Sequence, residues 1–164
     1  MTTKLLCHFN GSDGATTVAD AVGGVSWALS SGAQLDTARK KFGTASLLLT
    51  TGGSEQATVS GFSVTGSGSF TIEGFVEHDI DGNGPDLLFK NSGAADRVEI
   101  LFERGAGPGG IVLNVWNSSG TLIVTDTGEP ATFNLDTQYH WAVVRDSTGG
   151  FWDLFFNGVR LLHV

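Results

Sequence analysis

The sequence predicts an all-β domain built as an antiparallel sandwich, and three observations carry that expectation. Short apolar runs alternate with polar residues at period two, the side-chain period of a strand with one buried face. Turn-forming residues punctuate those runs, 24 of the 164 residues being glycine. The apolar content is rich in strand-favouring aromatics, with 11 Phe and 4 Trp, whereas helical spacing of apolar residues is almost absent.

Strands are expected over residues 4–9, 46–49, 55–59, 69–77, 86–90, 98–103, 111–117, 122–125, 138–145 and 151–156. In Phe70-Thr71-Ile72-Glu73-Gly74-Phe75-Val76-Glu77, the set Phe70, Ile72, Gly74 and Val76 should face the core. Val98, Ile100 and Phe102 should do the same in their strand, leaving Glu99 and Glu103 outside. Asn157-Gly158 is the strongest hairpin signal, residues 117–120 read as a tight loop, and residues 35–42 are assigned to loop. The length fits one domain spanning residues 1–164, and neither a fixed-period repeat nor a linker is visible.

Charge and cysteine usage exclude several function classes. A net charge of −8 with scattered Lys and Arg argues against binding a phosphate backbone or an acidic membrane. Cys7 is the only cysteine, so no intrachain disulfide forms. The N-terminal apolar run is too short for a signal peptide, and no apolar stretch has the length needed for membrane insertion.

Four segments in order resemble the concanavalin A-like, laminin G-like sandwich superfamily, in the compact version found in phage virion and bacterial surface proteins. Leu5-Leu6-Cys7-His8-Phe9-Asn10-Gly11, followed by Asp13 and Asp20, resembles its apolar strand ending in Phe-Asp-Gly. Lys41-Phe42-Gly43-Thr44-Ala45-Ser46-Leu47 resembles its Lys-Phe-Gly-x-x-Ser-Leu element. Residues 70–76 resemble its Phe-Thr-Ile-Glu-Phe-Trp-Val strand, with Gly74 and Phe75 in place of the Phe-Trp pair. Residues 139–146 with Asn157-Gly158 resemble its Trp-His-x-Val-Ala-Val-x-Arg strand and Asn-Gly hairpin. The resemblance implies a jelly-roll sandwich. Family members continue through further strands, one lying near the first, whereas this chain ends at Val164. The expectation is an open edge beside residues 4–9, completed by another chain of a homo-oligomer or by residues of a longer precursor.

The one site-like stretch is Asp79-Ile80-Asp81-Gly82-Asn83-Gly84-Pro85-Asp86, whose oxygen-bearing residues and turning glycine suit calcium. Asp79, Asp81, Asn83 and Asp86 are the candidate ligands, although Lys90 stands where such a loop places its bidentate Glu. A solvated acidic hairpin explains the same residues. Trp27, in an expected loop, is the tryptophan nominated as exposed, and with Asp79, Asp81 and Asn83 it forms a candidate glycan site.

Catalytic chemistry finds no footing. The Glu-x-Asp-x-x-Glu pattern of sandwich glycosidases is missing, and the pairs Glu73/Glu77 and Glu99/Glu103 read as solvated faces. His8, His78, His140 and His163 lack zinc spacing, and His78 is expected at the surface. The sequence therefore points to a non-catalytic virion or cell-surface module, a head-decoration or tail-fibre component acting by assembly. A lectin with a calcium-organised loop site is the alternative.

Overall fold

The structure, a computed structural model, describes residues 5–19, 22, 26–30, 32–50, 55–59, 68–78, 84–91, 97–104, 110–128 and 134–164. The strands among these residues pair antiparallel, and no helix occurs among them. The chain divides into two compact units, Met1–Ser63 and Val64–Val164.

In the first unit β1 (Thr17–Ala19), β2 (Ser26–Ser30) and β5 (Gln56–Val59) form a sheet in the order β1-β2-β5. A hairpin of β3 (Gln34–Asp36) and β4 (Ser46–Leu48) accompanies it. Val18, Leu35 and Ala45 are buried together, with Phe9, Trp27 and Leu29 packed against them. Of the expected strand over residues 4–9, the described residues show a single bridge, Leu6 to Val22. At its end Phe9 has a φ of 54°, outside the extended region that strand pairing requires. Beyond it, the backbone N–H of Gly11 donates to Thr44 Oγ1 at 3.1 Å and that of Thr44 donates to Asn10 Oδ1 at 2.8 Å. These bonds tie the Phe-Asn-Gly segment to the Phe-Gly-Thr segment. Part of the expected 35–42 loop is instead strand β3, where Leu35 is fully buried and its N–H donates to the Ala15 carbonyl.

In the second unit two four-stranded sheets share one core. The first has the order β10-β9-β8-β7, from β7 (Gly84–Lys90), β8 (Val98–Arg104), β9 (Gly110–Trp116) and β10 (Leu122–Gly128). The second has the order β13-β12-β11-β6, from β6 (Phe70–Val76), β11 (Tyr139–Asp146), β12 (Phe151–Phe156) and β13 (Val159–His163). Val98, Ile100, Phe102, Ile111, Leu113 and Val115 from one sheet meet Tyr139, Trp141, Val143, Trp152, Leu154 and Phe156 from the other. This is the packing of a sandwich, and the period-two alternation of each strand supplies it. Phe70, Ile72 and Val76 join the core, as their alternation requires.

Gly74 is opposite Trp141 in the β6–β11 ladder. A Cβ at Gly74 would lie 2.9 Å from Trp141 Cζ2, so the indole occupies the space another residue's side chain would need. At the other end of the sheet Asn157 and Gly158 have φ of 47° and 78°, the left-handed pair that a two-residue hairpin needs. The returning strand β13 was not among the expected elements. Its two ends are weakly apolar and exposed, so alternation gives little sign of it.

Two core substitutions test this arrangement. Leu154→Ala should cost about 2–5 kcal/mol in urea unfolding, because Leu154 is fully buried between the sheets. Gly74→Ala should lower the unfolding midpoint as well, since a methyl there displaces Trp141.

Candidate binding face

The strands that bury Trp141 and Leu154 turn their alternate residues outward, and those of β6, β11, β12 and β13 make one face. Across it, Phe75 is in register with His140, Glu73 with Ala142 and Thr71 with Val144. On the other side of β11, Ala142 is opposite Phe155 and Val144 opposite Asp153. Asp153 is in turn opposite His163, and Phe155 opposite Arg160. Phe75 and Phe151 are 43% and 44% exposed, which a core role would not allow.

Two histidine–carboxylate pairs organise the face. His140 Nε2 lies 3.2 Å from Glu73 Oε2, and the His140 ring is 5.0 Å from that of Phe75. His163 Nδ1 lies 2.7 Å from Asp153 Oδ1, with the Phe151 ring stacked on the imidazole at 4.6 Å. Arg160 Nη1 approaches the same Asp153 oxygen at 3.6 Å. Rings and charges are thus interleaved: each histidine has an aromatic neighbour on one side and a carboxylate on another. Below this face Tyr139 stacks on Phe156 at 5.0 Å, and its Oη accepts the Asn134 N–H at 2.7 Å.

The outer face of the other sheet is differently built. Lys90 Nζ lies 3.1 Å from Glu99 Oε1, Arg97 Nε lies 3.4 Å from the same oxygen, and the Arg97 guanidinium covers the Trp116 ring at 3.6 Å. Glu99, expected on a solvated face, is only 15% exposed because these two cations enclose it. The cation–π stack holds one face of Trp116 against Arg97.

The residues nominated from sequence are not gathered into one site among the described residues. Asp79, Asp81 and Asn83 lie outside the described residues. Asp86 is in β7, in keeping with the strand expected over residues 86–90, and β7 begins two residues earlier, at Gly84, with Asp86 opposite Phe102 in register. Trp27 is likewise in strand β2, not in a loop, half-buried with its ring 5.7 Å from that of Phe9. Trp141 and Trp152 are core residues. His78, expected at the surface, stacks on the buried Phe102 at 4.5 Å. Among the described residues no three or more His, Cys, Asp or Glu side chains come together to hold a metal ion. The residues that do come together form two clusters, Glu73, Phe75 and His140 in one and Phe151, Asp153 and His163 in the other, and all but His163 lie in strands that alternation predicts. Their meeting was not signalled, because β6 and β11 are far apart in the chain.

Comparison of the chain with protein-family models, with curated proteins and with solved structures found no match in any of the three.

The carboxylates of the face differ in burial, and their pairings should differ in strength. Glu73 is 64% exposed, so Glu73→Gln should cost less than about 1 kcal/mol. Asp153 is 19% exposed and is held by both Arg160 and His163, so Asp153→Asn should cost more, on the order of 1–2 kcal/mol. Urea unfolding of the two variants ranks them, and equal costs would contradict this assignment.

Proposed function

We propose that the chain is a non-catalytic structural or adhesive module of a virion or cell surface, such as a phage head-decoration or tail-fibre component, working through protein assembly. In this reading the fold is the concanavalin A-like jelly roll of the sequence resemblance. The observation that carries the proposal is the exposed face of the β6–β11–β12–β13 sheet, where Phe75 and Phe151 stand among histidine–carboxylate pairs. Exposed aromatics among interleaved charges are the composition of a recognition surface. Three carboxylates support the non-catalytic part: Glu99 is paired with Lys90, Asp153 with Arg160, and Glu73 lies 3.2 Å from His140, so each has a structural partner. A net charge of −8 favours protein partners over nucleic acid or acidic membrane.

A carbohydrate-binding module is the second reading. It is favoured by the same exposed rings beside carboxylates, the elements that stack on and hydrogen-bond a sugar. In that reading the acidic stretch Asp79, Asp81 and Asn83 adds a calcium-organised contribution.

Light scattering of the 164-residue chain, with calcium and with a chelator, separates the two. A stable oligomer indifferent to the chelator is expected for the assembly module. A monomer that gains stability with calcium and binds glycans only in its presence would replace that reading with the lectin.

A further inference from the structure

The outer face of the β6–β11–β12–β13 sheet carries its charges in an order that the ladders fix. Glu73 is opposite Ala142, Ala142 opposite Phe155, and Phe155 opposite Arg160. One row thus crosses all four strands with a carboxylate at one end and a guanidinium at the other. Neighbouring strands are about 4.8 Å apart, so the two ends stand about 14 Å apart, too far to pair within one copy. Their side chains are 64% and 56% exposed, and their contacts, Glu73 with His140 at 3.2 Å and Arg160 with Asp153 at 3.6 Å, leave both charges at the surface.

The cation stands at the end of the row because β13 is bulged. Leu154 is opposite Leu162, and regular pairing would continue with Leu161 against Phe155; the shift between Leu154 and Phe155 puts Arg160 there instead. Leu161 joins Leu162 against the core, and Arg160 is left on the outer face. Re-aiming a side chain in this way is what a bulge does. The row is uneven in height as well as in charge, low at Ala142, which is 6% exposed, and high at the half-buried Phe155 beside it.

Resting on the assembly reading above, we infer that this face packs against the same face of a second copy of the chain, across a two-fold axis that lies between β11 and β12 and runs parallel to them. That rotation lays each row on its own reverse, with the strands of the two sheets nearly aligned. Glu73 of each copy then meets Arg160 of the other, and each Phe155 stands over the other copy's Ala142. In the neighbouring row, Thr71–Val144–Asp153–His163, Thr71 meets His163, while Asp153 is already held by Arg160 and His163 of its own chain. A two-fold axis along the row would instead set Glu73 on Glu73 and Arg160 on Arg160, an arrangement that like charges oppose. Copies of net charge −8 repel as wholes, so a contact between them belongs where both signs recur in a self-complementary order. The outer face of the other sheet lacks that order, since Lys90 and Arg97 both engage Glu99, which is only 15% exposed.

Charge reversal tests the pairing. Sedimentation over a range of concentrations compares the unaltered chain, Glu73→Arg, Arg160→Glu and an equimolar mixture of the two variants, with circular dichroism to check that each folds. The unaltered chain is expected to dimerise. Each variant alone should associate more weakly, by about tenfold or more, because like charges then meet at both contacts. The mixture should recover the dimer, because both contacts are again of opposite sign. Variants that associate as the unaltered chain does, or a mixture that recovers nothing, overturn this face while leaving the assembly reading standing; an unaltered chain that is monomeric throughout overturns both. The conservative variant Arg160→Lys reads the same contact without a reversal. Treated with a zero-length carbodiimide, it should give a species of twice the chain mass linked between Glu73 and the new lysine, and the absence of that link overturns the pairing.

Discussion

The contact between Trp141 and Gly74 is the constraint on which the second unit depends. A tryptophan at the centre of β11 buries on the order of 200 Å², worth roughly 5 kcal/mol as an upper estimate. It fits only because the neighbouring strand presents no side chain at the opposing position. Tyr139 and Val143, two residues to either side of Trp141, are committed to the core with it. Once they face inward, His140, Ala142 and Val144 must face outward, because the strand period leaves no choice.

The inner packing therefore selects the outer face. His140 meets Phe75 and Glu73 because the ladder that seats Trp141 on Gly74 puts His140 opposite Phe75. The same logic runs through β12, where burying Trp152, Leu154 and Phe156 exposes Phe151 and places Asp153 beside His163. A shift of this sheet by one residue would bury Glu73 and Asp153 and dissolve both the core and the face at once. The two carboxylates are then best understood as marking the solvent side of the sheet, with the histidines holding them in place.

Legibility in the sequence followed the range of the interaction. The inward set Phe70, Ile72 and Val76, and the set Val98, Ile100 and Phe102, were readable because alternation is local to one strand. The Asn157-Gly158 turn was readable because its backbone demands those residue types. Strands β1, β2 and β3 were not, since Thr17–Ala19, Ser26–Ser30 and Gln34–Asp36 are too short, at three to five residues, to show a sustained alternation. Their pairing is secured by partners elsewhere in the chain, such as the Ala15 carbonyl that receives the Leu35 N–H. Trp27 was misplaced for the same reason, being read from its polar surroundings instead of from the strand that holds it.

By itself the sequence determined the strand class, the inward residues of the principal strands, the hairpin at Asn157-Gly158 and an acidic surface poor in basic clusters. Those properties depend on residue type and on spacings of one or two positions. Only the tertiary structure decided that β6 pairs with β11, that Gly74 leaves room for Trp141, and that Glu73 and His140, 67 residues apart, form a pair. Strand partnership is a matter of which apolar faces bury each other best, and that choice is made among all strands of a unit together, where no local pattern records it.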